Sequence, residues 1–193
     1  MAEITLKKKI TLKRKEEQAD FTFSGKLKVK LLWQSGTDLD LCLFFTKKNG
    51  EVGGVFSNEY RGKKSDLGDL NKFPFMLHLG DAKEPSPGGE ESEQINIVRF
   101  DEIDTAYVCI VNYGAAVDGE DVTYAEEGGR VELQSDSGDY LEVLADSKEE
   151  GHVYCVCSIK NNDGVYALKN ESNVMDLSTA FDKIPGFSLI CNE

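Results

Sequence analysis

The sequence lacks any run of about 18 apolar residues, so it predicts no helix that spans a membrane. Its first fifteen residues are charged throughout and lack the apolar segment of a secretory signal. Five cysteines cannot all pair within one chain. Without an export signal, we expect them to remain reduced thiols and the protein to be cytoplasmic.

Basic residues are also fewer than acidic residues. The sequence has 22 lysines and arginines and 35 aspartates and glutamates, which gives a formal net charge of −13. This balance argues against nucleic acid as a partner, since phosphate groups require a positive surface. A negative surface suits a protein that binds cations, although soluble domains without a ligand often share it. The length of 193 residues predicts a single domain over residues 1–193.

Apolar residues recur mainly with a period of two, which is typical of β-strands. In segment 26–33, Leu27, Val29 and Leu31 alternate with lysines, as in a strand with one face in water. The pair Asn49-Gly50 predicts a hairpin. Further strands are predicted at 38–45, 74–79, 93–98, 106–113, 130–134, 140–144, 152–159 and 165–169, and a helix at 175–181 with Asp176 or Ser178 as its cap. This pattern predicts an all-β fold, a two-sheet β-sandwich with one or two short helices.

A short repeat opens the chain, with segment 4–9 (ITLKKK) followed by segment 10–15 (ITLKRK). One interpretation is a pair of edge strands whose lysines prevent edge-to-edge association. The other is a basic arm that contacts anionic lipid or an acidic partner.

Two acidic segments are candidates for chemistry. Asp38 and Asp40 point to the same face of a predicted strand, roughly 6.6–6.8 Å apart. Two like charges held side by side repel each other, and a nearby cation would relieve that repulsion. Segment 80–94 adds five acids and one lysine, with two prolines and three glycines that predict a structured loop.

Acidic loops with exposed carbonyl groups suit calcium, which takes six to eight oxygen ligands. A set of oxygen ligands favours calcium over zinc, because the histidines and cysteines fall outside these segments. The alternative is a solvated acidic loop beside two turn residues. The twelve-residue calcium loop of an EF-hand appears nowhere in the sequence.

The order of these segments resembles that of the TerD family, the tellurium-resistance and stress-response proteins of bacteria. In that family a Trp-containing strand precedes an Asp-x-Asp-Leu-Asp-Ala element, followed by Gly-Asp-Asn and by an acidic loop ending in Gly-Asp-Asp-Glu-Gln. The matching stretches here are 31–33 (LLW), 38–41 (DLDL), 78–81 (HLGD) and 90–94 (EESEQ). The resemblance follows the order of the whole chain and is most specific between Trp33 and Gln94.

This resemblance implies a β-sandwich that binds calcium at an acidic corner. The side chains that match the family's ligands are Asp38, Asp40, Asp81, Glu91 and Glu93, with main-chain oxygens of Leu39 and Ala82 as additional ligands. Three family acids or amides are replaced here by Gly36, Ala82 and Ser92. We expect these losses to weaken calcium affinity or to remove one of the two ions that typical members hold.

We therefore expect a non-enzymatic calcium-binding protein of the stress response, in which the ion orders a loop for signalling or scaffolding. The expected partners are other stress-response proteins, with peripheral contact to a membrane-associated complex. One alternative is an interaction module whose acidic loop contacts a basic partner without metal. Another is a metal-dependent hydrolase that uses the same carboxylates to hold an ion and a water.

Cys155 and Cys157 are predicted to place both thiols on one face of a strand. With His152 nearby, they suggest a soft-metal site. A buried face of small apolar side chains is the alternative.

Overall fold

Alternating apolar residues form two β-sheets. The computed structural model describes residues 9–34, 39–57, 65–80, 90–112, 118–119, 123–124 and 128–191. The strands in these ranges are β1 (Lys9–Leu12), β2 (Gln18–Phe21), β3 (Leu27–Trp33), β4 (Asp40–Lys47), β5 (Val52–Phe56), β6 (Gly68–Asp69), β7 (Met76–His78), β8 (Glu91–Ile97), β9 (Ile103–Val111), β10 (Gly129–Ser135), β11 (Tyr140–Ala145), β12 (Val153–Asn162) and β13 (Val165–Met175).

The first sheet, sheet A, has seven strands in the order β1-β11-β10-β3-β8-β7-β6. Sheet B has six strands in the order β2-β13-β12-β9-β4-β5. Adjacent strands pair in antiparallel fashion, except that β1 pairs with β11 in parallel. The two-sheet β-sandwich predicted from the sequence is confirmed.

Side chains from the facing surfaces of the two sheets form the main core. Along β3, Leu27 and Val29 are buried whereas Lys28 between them is exposed. They belong to the same buried cluster as Leu43 and Ile110 of sheet B. The strand alternation seen in the sequence therefore does mark the inward face.

A second apolar cluster covers the outer face of sheet B. Helix α1 (Leu177–Lys183) and a 3₁₀ helix (Phe187–Cys191) pack there. Asp176 caps α1, because its side chain accepts a hydrogen bond from the N–H of Thr179 at 2.8 Å. Of the two caps that the sequence suggests, Asp176 is therefore the one used. Within the described ranges, no helix has the length and apolar character needed to cross a membrane.

The predicted hairpin at Asn49-Gly50 joins β4 to β5. The N–H of Lys47 donates to the carbonyl oxygen of Glu51 at 2.7 Å, and Gly50 has a φ of +91°, in the left-handed region that favours glycine. Strand β5 itself was not predicted, because its sequence is Val-Gly-Gly-Val-Phe and glycine is rare in strands. Gly53 is required there, since a Cβ would lie 2.4 Å from the ring of Phe45.

Strand β1 consists of Lys9, the last residue of the first copy of the opening repeat, and the first three residues of the second copy, and it lies at the edge of sheet A. Lys9 is exposed, and its Nζ lies 5.4 Å from the ring centroid of Tyr140 on the neighbouring strand β11. This placement agrees with the edge-strand interpretation. Residues 4–8 lie outside the described residues.

The prediction that Cys155 and Cys157 share a face is wrong. The register of β12 shifts between these two residues against both neighbouring strands, which is the mark of a β-bulge. Cys155 belongs to the outer cluster beneath α1, whereas Cys157 belongs to the core between the sheets. The extra residue turns the two thiols to opposite faces, so they do not form a common metal site.

Candidate metal corner

Three segments meet at one end of the sandwich; two of them carry sequence-predicted ligands, and the third ends one residue before Asp81. They are the first residues of β4, the last residues of β7 with the two that follow, and the first residues of β8. We call residues 39–41, 78–80 and 91–93 the acidic corner. Strands β7 and β8 are neighbours in sheet A, whereas β4 belongs to sheet B. Contacts in the acidic corner therefore join the two sheets.

Glu93 makes one of these contacts. It lies opposite Leu31 of β3, and its side chain has no exposed surface. Its Oε2 atom accepts a hydrogen bond from the backbone N–H of Leu41 at 2.7 Å. A carboxylate at this depth is costly unless polar groups surround it. The contact with Leu41 supplies one such group from the opposite sheet.

His78 contacts the same residue of β4. Its Nε2 atom lies 3.0 Å from the carbonyl oxygen of Leu41, and its Nδ1 atom accepts a hydrogen bond from the N–H of Gly80 at 2.9 Å. Because Nδ1 is an acceptor, the ring hydrogen lies on Nε2, and the neutral imidazole donates to Leu41. Nε2 also lies 3.5 Å from Oε2 of Glu93.

These two side chains bind backbone groups of β4 that its ladder with β5 does not include. The ladder between β4 and β5 begins only at Cys42, which pairs with Phe56. At Leu41, one position earlier, the buried N–H and C=O groups have no partner on β5 and would be costly if left unsatisfied. Glu93 and His78 satisfy them from sheet A, which fixes the start of β4 against the ends of β7 and β8.

The structure describes four of the seven residues that the sequence nominates as ligands. Those described are Leu39 and Glu93, which are buried, and Asp40 and Glu91, which are half-buried. Asp38, Asp81 and Ala82 lie outside the described residues. Because Glu91 and Glu93 are two residues apart on β8, their side chains point to the same face of the strand.

Asp40 approaches the corner from the other side. Along β4, Leu41 faces the core between the sheets, whereas Cys42 belongs to the outer cluster of sheet B. Strand alternation therefore places the side chain of Asp40 on the outer face. The structure brings the segments of Asp40 and Glu93 together, but it places the two carboxylates on opposite faces of β4.

The described side chains do not complete a metal site by themselves. No three His, Cys, Asp or Glu side chains among the described residues form a group that could hold a metal ion. Since calcium takes six to eight oxygens, a site here needs oxygen atoms from outside the described ranges. The described residues fix the positions of the three segments of the acidic corner, and the remaining ligands would come from the residues next to them in sequence.

Arg130 is a partner of the acidic loop that the sequence does not predict. Its guanidinium donates to both oxygens of Glu90, at 2.7 and 3.1 Å, and its Nε donates to Glu132 at 3.0 Å. The hydrogen bond from Arg130 lowers the pKa of the Glu90 carboxyl. One acid of segment 80–94 is thus balanced by a base from β10.

No family model matches this sequence, and no curated protein matches it. Among solved structures, the crystal structure of a protein of unknown function, SAV2460, is similar, with a TM-score of 0.52 and 12% sequence identity. The match covers 81% of this chain and 94% of that chain. At this identity the likeness shows the fold alone, and it agrees with the two-sheet sandwich.

Proposed function

We propose that this protein binds calcium at the acidic corner and that it is not an enzyme. The observation that carries the proposal is the pair of bonds from Glu93 and His78 to Leu41, at 2.7 and 3.0 Å. These bonds hold three segments that are far apart in sequence at one end of the sandwich, and two of the segments carry acids, namely Asp40 in the first and Glu91 and Glu93 in the third. The net charge of −13 favours a cation as the ligand.

The proposed ion lies beyond the first residue of β4, next to the segments that carry the nominated ligands. Asp40 and Glu91 are each the first residue of a strand. In the sequence, Asp38 precedes Leu39 and Asp81 follows Gly80, and both lie outside the described residues. The side chains of Asp38, Asp40, Asp81, Glu91 and Glu93, with main-chain oxygens of Leu39 and Ala82, form the proposed ligand set.

Glu93 has the support that a ligating carboxylate usually has. Carboxylates that bind metals are themselves oriented by hydrogen bonds from surrounding groups. The N–H of Leu41 and the imidazole of His78 both lie next to Oε2 of Glu93. This arrangement fixes the carboxylate before an ion arrives, which lowers the entropy lost on binding.

A binding role fits the corner better than catalysis. The side chains of His78 and Glu93 are fully buried, and each contacts the backbone of Leu41. The two ring nitrogens of His78 bind Leu41 and Gly80, so His78 is not directed toward a substrate, as a general base must be. The proposed consequence of calcium binding is that the ion orders the loop at 80–94, which then presents a surface to other stress-response proteins.

Calcium titration of the thermal unfolding curve tests this proposal. Ligands that bind only the folded protein stabilise it, so the melting temperature should rise with calcium and return to its starting value with a chelator. Asp40→Asn should abolish the rise. Asp163→Asn is the matched control, because it removes the same charge in the turn between β12 and β13, roughly 30 Å from β4's first residue by strand length.

The control residue also tolerates the change structurally. Asp163 has a φ of +53°, and asparagine adopts this conformation as readily as aspartate. If millimolar calcium left the melting temperature unchanged, the proposal would be overturned and the interaction module without metal would be favoured. A calcium response equal in Asp40→Asn and Asp163→Asn would overturn the ligand set. Calorimetric titration then gives the number of ions per chain.

A further inference from the structure

Three cysteines form a row across the middle of sheet B. Cys42 of β4 pairs directly with Cys109 of β9, and Cys109 pairs directly with Cys155 of β12. All three are free thiols and are exposed by 3% or less. Residues directly opposite on antiparallel strands have Cβ atoms about 4.5–5.5 Å apart, so each neighbouring pair of sulfurs lies within reach of a shared ligand.

The row lies in the apolar cluster on the outer face of sheet B. Ala180 and Ile184 of α1 and Phe187 of the 3₁₀ helix belong to the same cluster. No side chain of this cluster carries a carboxylate that could bind a hard cation. Thiol sulfur is the ligand that soft cations such as Cu(I) prefer.

The Cys155 end of the row is the accessible one. A cavity of about 430 Å³ is lined by Cys155, Tyr107, Glu171, Lys183 and other residues of β13 and α1. This cavity provides a route from solvent past α1 to the Cys155 sulfur. Cys42 and Cys109 are not among its lining residues.

Two sulfurs of the row, and not three, can surround one ion. Because neighbouring strands lie about 4.7–4.9 Å apart, the outer cysteines of three adjacent strands are roughly 10 Å apart. This agrees with the absence of any group of three metal-binding side chains among the described residues. A two-coordinate ion is therefore the type that the row accommodates.

We propose that Cys109 and Cys155 bind one soft, two-coordinate cation of the Cu(I) class, which enters through the cavity beneath α1. Cys109 and Cys155 lie directly opposite each other on β9 and β12, and both belong to the same buried cluster, so the two sulfurs are neighbours. Each thiol that binds the cation as thiolate releases its proton, and the oxidation state of the metal does not change. This site is separate from the acidic corner in position and in the class of metal it takes.

Burial raises the pKa of the Cys109 thiol well above its usual value. The bound cation must displace this proton, so affinity falls as the pH is lowered. Hard cations such as calcium bind thiolate too weakly to do this. The pair should therefore discriminate Cu(I) from calcium completely.

The test is an anaerobic titration of the reduced protein with Cu(I) against a chromophoric Cu(I) chelator. Cys191→Ser serves as the background, because it removes the fifth cysteine from the comparison. We expect one Cu(I) per chain. Cys109→Ala or Cys155→Ser should weaken binding by more than about 100-fold, beyond the 10–100-fold effect of changing residues that only support a metal ligand.

Two variants control for the loss of a buried thiol. Cys157→Ala removes a thiol from the core between the sheets, and Cys42→Ala removes the far member of the row. Both should retain full affinity. Equal Cu(I) binding by the Cys109→Ala/Cys155→Ser double variant, or no retention of Cu(I) by the parent protein, would overturn the proposal.

X-ray absorption of the Cu(I)-loaded parent protein gives a result that does not depend on any variant folding. Two sulfur neighbours and no lighter ligand are expected around the metal. A site with three sulfur neighbours, or with nitrogen or oxygen neighbours, would contradict the two-thiol assignment. The Cu(I) result does not depend on the proposed calcium site. If calcium failed to raise the melting temperature of the protein, the X-ray absorption result would still stand.

Discussion

The carboxylate of Glu93, in one sheet, accepts a hydrogen bond from the backbone N–H of Leu41, in the other sheet, at 2.7 Å. With the bond from His78 to the carbonyl oxygen of Leu41, it joins the sheets one position before the ladder between β4 and β5 begins. The acidic corner is thus a joint between the sheets as well as a candidate binding site. Its stability and its ligand affinity should be separable by mutation.

Glu93→Ala should lower the free energy of unfolding by at least about 2 kcal/mol, because it leaves the buried N–H of Leu41 without an acceptor and creates a cavity. Glu93→Gln should cost less, since an amide oxygen can still accept that bond. Urea unfolding measures both. Gln94→Ala, on the opposite face of the same strand, is the control. An alanine variant at position 93 as stable as this control would show that the joint contributes nothing.

Acid should weaken the pair of Glu90 and Arg130. The folded-state pKa of Glu90 is lowered, chiefly by its hydrogen bond with Arg130. Its stabilising contribution is therefore present at pH values above the ordinary glutamate pKa and is lost as the pH falls through the lower folded pKa. After solvent screening we expect about 1 kcal/mol or less for this pair.

The measurement is the unfolding free energy of wild-type protein and Glu90→Gln as the pH falls from about 7 to about 3. The wild-type protein should lose more stability than the variant over this range, and the two curves should converge in acid. Parallel curves would mean that the pair titrates equally in the folded and unfolded chains. Glu51→Gln, at an exposed ion pair in the β4–β5 turn, controls for the loss of one carboxylate.

Gly68→Ala should destabilise the protein far more than Gly50→Ala. Both glycines have nearly the same φ, +90° and +91°, so the conformational cost of alanine, about 1 kcal/mol, is shared. A Cβ at Gly68 would lie 2.1 Å from the carbonyl oxygen of Met76, whereas nothing lies within 4 Å at Gly50. This overlap should add roughly 1–3 kcal/mol.

Urea unfolding of the two glycine variants checks the difference directly. It also tests how the acidic corner is held in place. Gly68 of β6 pairs with Leu77 of β7, and β7 carries His78. Equal losses of stability would mean that the backbone of β7 moves to accept the new Cβ. In that case the position of His78 would not depend on β6.

Strand alternation made much of the fold predictable. Leu27, Val29 and Leu31 alternate with lysines in the sequence, and all three are buried in β3. The turn at Asn49-Gly50 and the cap at Asp176 follow from local backbone chemistry, so a few residues were enough to predict them. The sequence does not predict β5, because its glycines leave room for a side chain on another strand. A Cβ at Gly53 would overlap the ring of Phe45 on β4.

The acidic corner was less predictable, because its contacts depend on pairing between distant strands. Acid patterns nominate Glu91 and Glu93, but no local signal shows that Glu93 binds the backbone of Leu41. Arg130 lies 40 residues from Glu90, and only the sheet order brings them together. Cys155 and Cys157 were placed on one face because a single-residue bulge leaves no mark in the alternation of a short apolar run.

The first described residues of the chain protect both sheets at once. Strand β1 covers the edge of sheet A along β11, and after only residues 13–17 strand β2 covers the edge of sheet B along β13. Cleavage after Phe21 would therefore uncover two rows of backbone N–H and C=O groups in one event. The strands that become the new edges, β11 and β13, are longer than β1 and β2. Rows of this kind pair readily with other chains, so the shortened protein should form linear assemblies through these two edges.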